Sequence, residues 1–306
     1  MNNGKVEWEG NFVAVVTPFQ ASGEIDESAF QQNIALLLSE GAEGIIVSGC
    51  TGEAWVLSPE ERLRLFRLGV DAAAGAVPVI AGTGGISTRE VIDLSTKARD
   101  AGCQGIMVLP PFYCRPGDAE VVAHYKGISD AVGSPILLYN IPKRTGIDLT
   151  PELVEQLVAL EYVAAIKESS DSFIRVETLV NRFGDAMQVF TGHSAERGVA
   201  AVVMGAKGWV SSLESQIMGR EAVQMYDMVK DGDLEGARRV QLRTLALDQG
   251  ARTMGTFPAN LKAAMNLLGR PGGYPRPPLL PLGDAQITDL TALLDGLGIT
   301  QAVASV

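Results

Sequence analysis

Short apolar runs of strand length alternate with amphipathic runs of helix length eight times along the first two thirds of this chain, and few folds accommodate such a pattern. The runs read as strands are Val13 to Val16, Gly44 to Val47, Val77 to Ala81, Gly105 to Leu109, Pro135 to Tyr139, Val163 to Lys167, Gln188 to Thr191 and Gly208 to Ser211. A strand followed by a helix and then another strand is the signature of parallel pairing through a crossover. Eight such units predict an α/β chain folded as a (β/α)8 TIM barrel. No fixed-period similarity links the units, so the repeat is one of architecture.

Helix starts support the same frame. Asp26 precedes Glu27 to Ser39, Ser58-Pro59 precedes Arg62 to Ala74, and Thr150-Pro151 precedes Leu153 to Leu160, the latter two pairing an N-cap hydroxyl with proline at the first helical position. Gly41, Gly75, Gly102, Gly133 and Gly205 stand where a helix ends in a left-handed residue. After the eighth strand the pattern turns helical: Glu221 to Lys230, Leu234 to Thr253, Pro258 to Leu268 and, beyond a proline-rich link from Pro271 to Pro281, Asp284 to Leu297. The expected organisation is a catalytic barrel over residues 1–220 with appended C-terminal helices over 221–306, packed as one structural unit.

Composition narrows the partners. With 25 basic and 36 acidic side chains the net charge is −11 and no basic block exists, which argues against nucleic acid and anionic membranes. The first ten residues are polar and no apolar run reaches a membrane span, so a cytoplasmic protein is expected. Three scattered cysteines (Cys50, Cys103, Cys114) and two histidines (His124, His193) offer no metal-ligand spacing, so neither a disulfide nor a structural metal is expected.

In a barrel of this kind chemistry collects after the strand ends. There the chain carries Thr17-Pro18-Phe19, Gly49-Cys50-Thr51-Gly52-Glu53, Gly82-Thr83-Gly84, Pro110-Pro111-Phe112-Tyr113, Tyr139-Asn140-Ile141-Pro142 with Lys143-Arg144-Thr145-Gly146, and Lys167-Glu168-Ser169. An apolar run ending on Lys167 reads as a strand delivering one amine to the rim, where lost hydration lowers an ammonium pKa from about 10.4. The other reading is a lysine that leaves the strand and pairs with a surface carboxylate. Two glycines at 49 and 52 bracketing a hydroxyl residue, Thr51, permit a nest of N–H groups for a small carboxylate, or a turn with no ligand. No glycine-rich phosphate grip follows strands seven and eight.

Gly49-x-Thr51-Gly52-Glu53, Tyr139-Asn140-x-Pro142 with Arg144-Thr145-Gly146, and Ile166-Lys167-Glu168, in this order and spacing, resemble the dihydrodipicolinate synthase / N-acetylneuraminate lyase family, over nearly the whole chain. The resemblance implies a Schiff-base lyase or synthase on a (β/α)8 barrel, typically a homotetramer arranged as a dimer of dimers, acting on pyruvate or a related 2-oxo acid and an aldehyde and needing no metal or organic cofactor. It makes Lys167 the amine that condenses with the ketone and Tyr139 the proton shuttle, a core tyrosine being the alternative. Thr51 with the Gly49 to Gly52 amides would bind the carboxylate of the 2-oxo acid. Val210 would offer its carbonyl near the lysine. Tyr113 matches a tyrosine that crosses from a neighbouring subunit to complete a Tyr-Thr-Tyr relay, or is an aromatic interface anchor. Arg144 matches the arginine that receives the carboxylate of the second substrate, a surface arginine being its plain reading.

The chain departs from the family pattern in two respects. Cys50 stands where the synthases carry the relay threonine, and a thiol is a weak donor and acceptor. Ala54, Trp55, Pro59, Arg62, Ile86 and Phe112 do not show the pattern of lysine-inhibited synthases, so lysine feedback is not expected. The first expectation is a 4-hydroxy-tetrahydrodipicolinate synthase-like enzyme. The alternatives are a 4-hydroxy-2-oxoglutarate or 2-keto-3-deoxy sugar acid aldolase or dehydratase of the same family, and a non-catalytic 2-oxo acid binding protein.

Overall fold

Strands buried on both faces lose the polar alternation of half-exposed sheets, and every residue of seven of the eight strands here is buried. The computed structural model describes residues 6–299. Eight parallel strands close into a barrel in chain order: β1 (Gly10–Ala14), β2 (Gly44–Val47), β3 (Val79–Gly82), β4 (Gly105–Val108), β5 (Ile136–Asn140), β6 (Val163–Glu168), β7 (Gln188–Thr191) and β8 (Gly208–Ser211). The ring is sealed by β1 on β8, with Gly10 opposite Gly208 and Val13 opposite Ser211. This is the (β/α)8 TIM barrel that the alternation predicts, with helices appended after the last strand.

Side-chain parity divides the core in two. Val13, Ile45, Val79, Ile106, Ile136, Leu138, Ile166 and Val189 point outward and pack with the apolar stripes of the surrounding helices. Phe12, Ile46, Ile80, Met107, Leu137, Ala165, Phe190 and Val210 fill the barrel interior. The helix starts are capped as the sequence implies: Asp26, Ser58 and Thr150 each accept a backbone N–H from the first turn.

Several boundaries differ from the sequence expectation. Strand β1 starts at Gly10, not Val13, because Gly10 and Asn11 pair with β8; its expected end, Val16, leaves the ladder and donates its N–H to Gln216 Oε1 at 3.1 Å. Strand β3 starts after Pro78, which has no N–H to give a ladder. Strand β6 runs one residue past Lys167, since Glu168 pairs with both Asn140 and Thr191. The helix expected over 221–230 divides at Gln224 into Arg220–Val223 and Met225–Lys230.

The C-terminal helices Leu234–Ala251, Ala259–Leu267 and Asp284–Gly296 share one apolar cluster. Leu247, Leu261, Met265, Leu290 and Leu294 meet Val16 from the exit of β1 and Leu213 and Ile217 from a short helix after β8. That seating brings residues 257–260 to the mouth of the barrel, where they become part of the site.

Candidate active site

The barrel interior is apolar until the C-terminal ends of β5 and β6. Tyr139 is two residues beyond Leu137 and Lys167 two beyond Ala165, so both side chains continue the interior rows. They are register partners across the two strands, and Lys167 Nζ lies 4.2 Å from the centroid of the Tyr139 ring. Lys167 is 7% exposed and Tyr139 4%, so both polar tips have lost nearly all bulk water. Gly192 makes room for the lysine: a Cβ there would stand 2.9 Å from Lys167 Cε and 1.8 Å from Ser169 Oγ.

The strand ends are fixed by a polar lattice just outside the barrel. Asn140 donates to Glu168 Oε2 at 2.8 Å and to Asp148 Oδ1 at 2.9 Å, and its own carbonyl oxygen Oδ1 accepts from Leu149 N at 2.9 Å. Arg175 closes a two-point ion pair on Asp148. Buried amides and carboxylates that are fully engaged resist rearrangement. The register that sets Tyr139 against Lys167 is thereby held by the residues that follow them.

Burial lowers the Lys167 ammonium to about 8, with the Arg144 charge acting in the same direction and Cys50 and Glu214 opposing. At pH 7 roughly one molecule in ten then carries the free amine, against about one in a few thousand for an unshifted lysine. Burial also raises Tyr139 well above the ordinary phenol range, with the Cys50 thiol next in effect, so the group is a neutral O–H donor at neutral pH. His193 is held below its usual value by burial, and its Nε2 stands 3.2 Å from the Ser169 carbonyl, which requires that nitrogen to carry the hydrogen.

Above these groups opens a cavity of about 490 Å³. Of the residues singled out in the sequence, Lys167, Tyr139, Cys50, Thr51, Arg144 and Val210 line it. Gly49 and Gly52 sit behind the wall. Gly49 faces a second cavity of about 250 Å³ that shares Cys50 and Tyr139 with the first. Gly52 is enclosed, and a Cβ on it would lie 3.2 Å from the Val15 carbonyl oxygen. Ser48 and Glu53, on either side of the turn, both have φ of 55°. The amides of residues 50 and 51, between them, have no carbonyl partner among the described residues.

Tyr113 stands apart. It is 91% exposed with φ of 68°, adjacent to Phe112, which lines the second cavity. Within one chain it is not among the residues around Lys167. The structure also adds wall residues that the sequence reading did not select: Ser169 and Gly192 next to the lysine, and Asp248, Arg252, Phe257 and Asn260 from the C-terminal helices. Ser169 was open to selection as the second residue after the lysine; nothing in the pattern of 248–260 marked it as part of the barrel mouth.

A profile of the Dihydrodipicolinate synthetase family matches residues 7–296. The chain belongs to that family. A dihydrodipicolinate synthetase-family barrel with a desolvated lysine at the end of β6 is a lyase of the lysine Schiff-base, class I aldolase type. Among relatives, the 4-hydroxy-tetrahydrodipicolinate synthase of Pelobacter propionicus is 36% identical over 292 residues, covering 95% of this chain and 99% of that protein. The synthase of Sorangium cellulosum is 39% identical over 278 residues, covering 90% and 91%. Among solved structures, YagE, an E. coli K12 prophage protein of the dihydrodipicolinic acid synthase family in complex with pyruvate, superposes with a TM-score of 0.91 at 30% identity over 95% of this chain and 99% of that one. Dihydrodipicolinate synthase from Aquifex aeolicus gives 0.90 at 30% identity over 96% and 100%.

Proposed function

We propose that this enzyme condenses pyruvate, or a closely related 2-oxo acid, with an aldehyde through an imine on Lys167, as a 4-hydroxy-tetrahydrodipicolinate synthase does. The observation that carries the reading is the Lys167–Tyr139 pair, an amine and a phenol in contact at the floor of one cavity. The free amine adds to the ketone and, with one proton taken up from solvent, water leaves, giving a protonated imine. That imine draws electrons from the adjacent carbon, whose proton passes to solvent water to give an enamine. The enamine attacks the aldehyde carbon, and the Tyr139 hydroxyl is placed to protonate the oxygen that becomes negative. Water then frees the product and restores Lys167.

The amides of residues 50 and 51 and the Thr51 hydroxyl are the groups suited to the substrate carboxylate, since they are oriented, partnerless and adjacent to the lysine. The Val210 carbonyl sits on the same wall. Arg144, on a four-residue helix after β5, places a guanidinium at the rim, where a second carboxylate would enter. Cys50, which lines both cavities together with Tyr139, takes the place of a relay hydroxyl.

The exposure of Tyr113 beside that second cavity supports a role toward a neighbouring copy, so the reading includes an active unit of at least two chains and a homotetramer built as a dimer of dimers. Arg62 and the apolar Trp55, Ile86 and Phe112 around the second cavity do not suit a lysine effector, which supports an enzyme free of lysine feedback. No described helix is long and apolar enough to cross a membrane, in keeping with the cytoplasmic location we infer.

Borohydride reduction in the presence of pyruvate tests the chemistry: a reduced pyruvate adduct on Lys167 by peptide mass mapping is expected, and an unmodified Lys167 overturns it. Coupled assays then compare pyruvate plus aspartate semialdehyde with a panel of 2-keto-3-deoxy acids and 4-hydroxy-2-oxoglutarate. Arg144 favours the acidic semialdehyde, and faster turnover of a keto-deoxy acid would reassign the substrate within the family.

A further inference from the structure

Lys262 belongs to the C-terminal helix Ala259–Leu267 yet is completely buried, and every polar contact of its ammonium is to a segment outside that helix. It ion-pairs with Glu53, which is equally buried, and donates to the Thr17 carbonyl at 2.6 Å and the Tyr274 carbonyl at 2.8 Å. Its Nζ also lies 4.4 Å from the centroid of the Phe19 ring, whose ring has the Arg276 guanidinium 4.1 Å from the centroid. Burial lowers this ammonium to about 8 despite the Glu53 charge, so the cation is retained at a cost.

Two of the three residues that Lys262 grips, Glu53 and Thr17, adjoin the turn read as the seat of the substrate carboxylate. Glu53 ends it, in the left-handed conformation, with its N–H donated to the Cys50 carbonyl at 3.1 Å and its Oε2 accepting from Arg276 N at 3.1 Å. Thr17 lies beneath it, donating its hydroxyl to the Gly52 carbonyl at 2.8 Å. A non-glycine residue at φ of 55° is held there only by its surroundings. Here the surroundings include the Arg276 N–H and, from the C-terminal helices, the Lys262 ammonium.

We infer that Lys262, through its buried pair with Glu53 and its bond to Thr17, is a positioning residue that holds the amides of residues 50 and 51 in the orientation that binds the substrate carboxylate. The inference rests on the reading that this turn receives a 2-oxo acid carboxylate. It gives the C-terminal helices a part in substrate binding beyond the wall residues Phe257 and Asn260, since the same helix that contributes Asn260 also sets the turn. A pair that served stability alone would leave a folded variant with unchanged substrate affinity.

The test removes both charges together, so that neither is left buried alone: Lys262→Met with Glu53→Gln, in the full chain. Folding is checked by circular dichroism and thermal unfolding, and the pyruvate concentration for half-maximal borohydride trapping of Lys167 is measured beside KM and kcat. The expected result is a half-saturating pyruvate concentration and a KM at least tenfold above the parent, with kcat at saturation within threefold. A folded variant with a pyruvate KM within twofold of the parent overturns the inference. Should the double variant not fold, Thr17→Val, which leaves no charge unpaired and cuts the hydroxyl link from Thr17 to the Gly52 carbonyl, carries the same readout and the same two outcomes. A parent enzyme that takes up no pyruvate overturns the proposed function and this inference with it, whereas a parent that is trapped while the variant matches it overturns this inference only.

Discussion

Lys167 and Tyr139 sit opposite each other on β6 and β5, with the lysine ammonium 4.2 Å from the centre of the phenol ring. A ring face attracts a cation and favours the charged lysine, whereas burial favours the neutral amine. Burial is the larger influence, and it leaves Lys167 titrating at about 8.

Imine formation should therefore rise with pH, because only the deprotonated amine attacks. The initial rate of borohydride trapping with saturating pyruvate is expected to increase about tenfold per pH unit below about 8 and to level off above it. A rate flat between pH 6 and 8 would contradict the assignment. The stability sign is the reverse of an ordinary paired lysine. The unfolded chain binds the proton more tightly, so the folded state is penalised below pH 8 and regains stability as pH climbs from about 8 to the ordinary lysine value.

Tyr139→Phe keeps the ring against Lys167 and removes only the hydroxyl. Trapping of the pyruvate adduct is expected to persist, while kcat for condensation falls by about 10²- to 10³-fold, the range of a lost general acid. Steady-state kinetics beside single-turnover trapping separates the two steps; a loss of trapping equal to the loss of kcat would place the hydroxyl in imine formation instead.

Cys50→Thr puts a hydroxyl on the wall that Cys50 and Tyr139 give to both cavities. A hydroxyl donates and accepts better than a thiol, so kcat is expected to rise about three- to tenfold with little change in KM for pyruvate. Unchanged kcat would show that proton transfer through position 50 does not limit turnover.

Glu43, at the opposite end of the barrel, accepts a hydrogen bond from Asn11 N at 2.6 Å and is raised to about 7 by burial, with the Asp227 and Glu9 charges adding to it. A carboxyl raised on folding favours the native state while it is protonated, and that advantage is lost as pH rises from about 4.5 through 7. Glu43→Gln keeps an acceptor for Asn11 and removes the charge. It is expected to raise the Tm at pH 8 and to have little effect at pH 5, as thermal unfolding at the two values will show.

The strand–helix alternation and the helix caps were legible because both arise from local chemistry: continuous apolar runs, proline at a first helical turn, hydroxyls at N-caps. The site was partly legible for the same reason, since Lys167, Tyr139 and Thr51 each stand at or just beyond the end of an apolar run. Strand limits at β1 and β3 were not, because whether Gly10 or Val77 joins the ladder depends on Asn11 meeting β8 and on Pro78 having no N–H. Nor were Asp248, Arg252, Phe257 and Asn260, whose membership of the cavity follows from how separate helices pack.

By itself, then, the order of residues determined that eight strands run parallel in chain order, and it placed a lysine, a tyrosine and a glycine turn at their C-terminal ends. Parity along each strand is a local property, so it also fixed which side chains face inward. Only the tertiary structure decided that the amine is dry, that the phenol lies across it, and that a buried lysine 95 residues further along grips the turn beside it. Desolvation and long-range ion pairing depend on what closes over a group, and that is known only once distant segments have met.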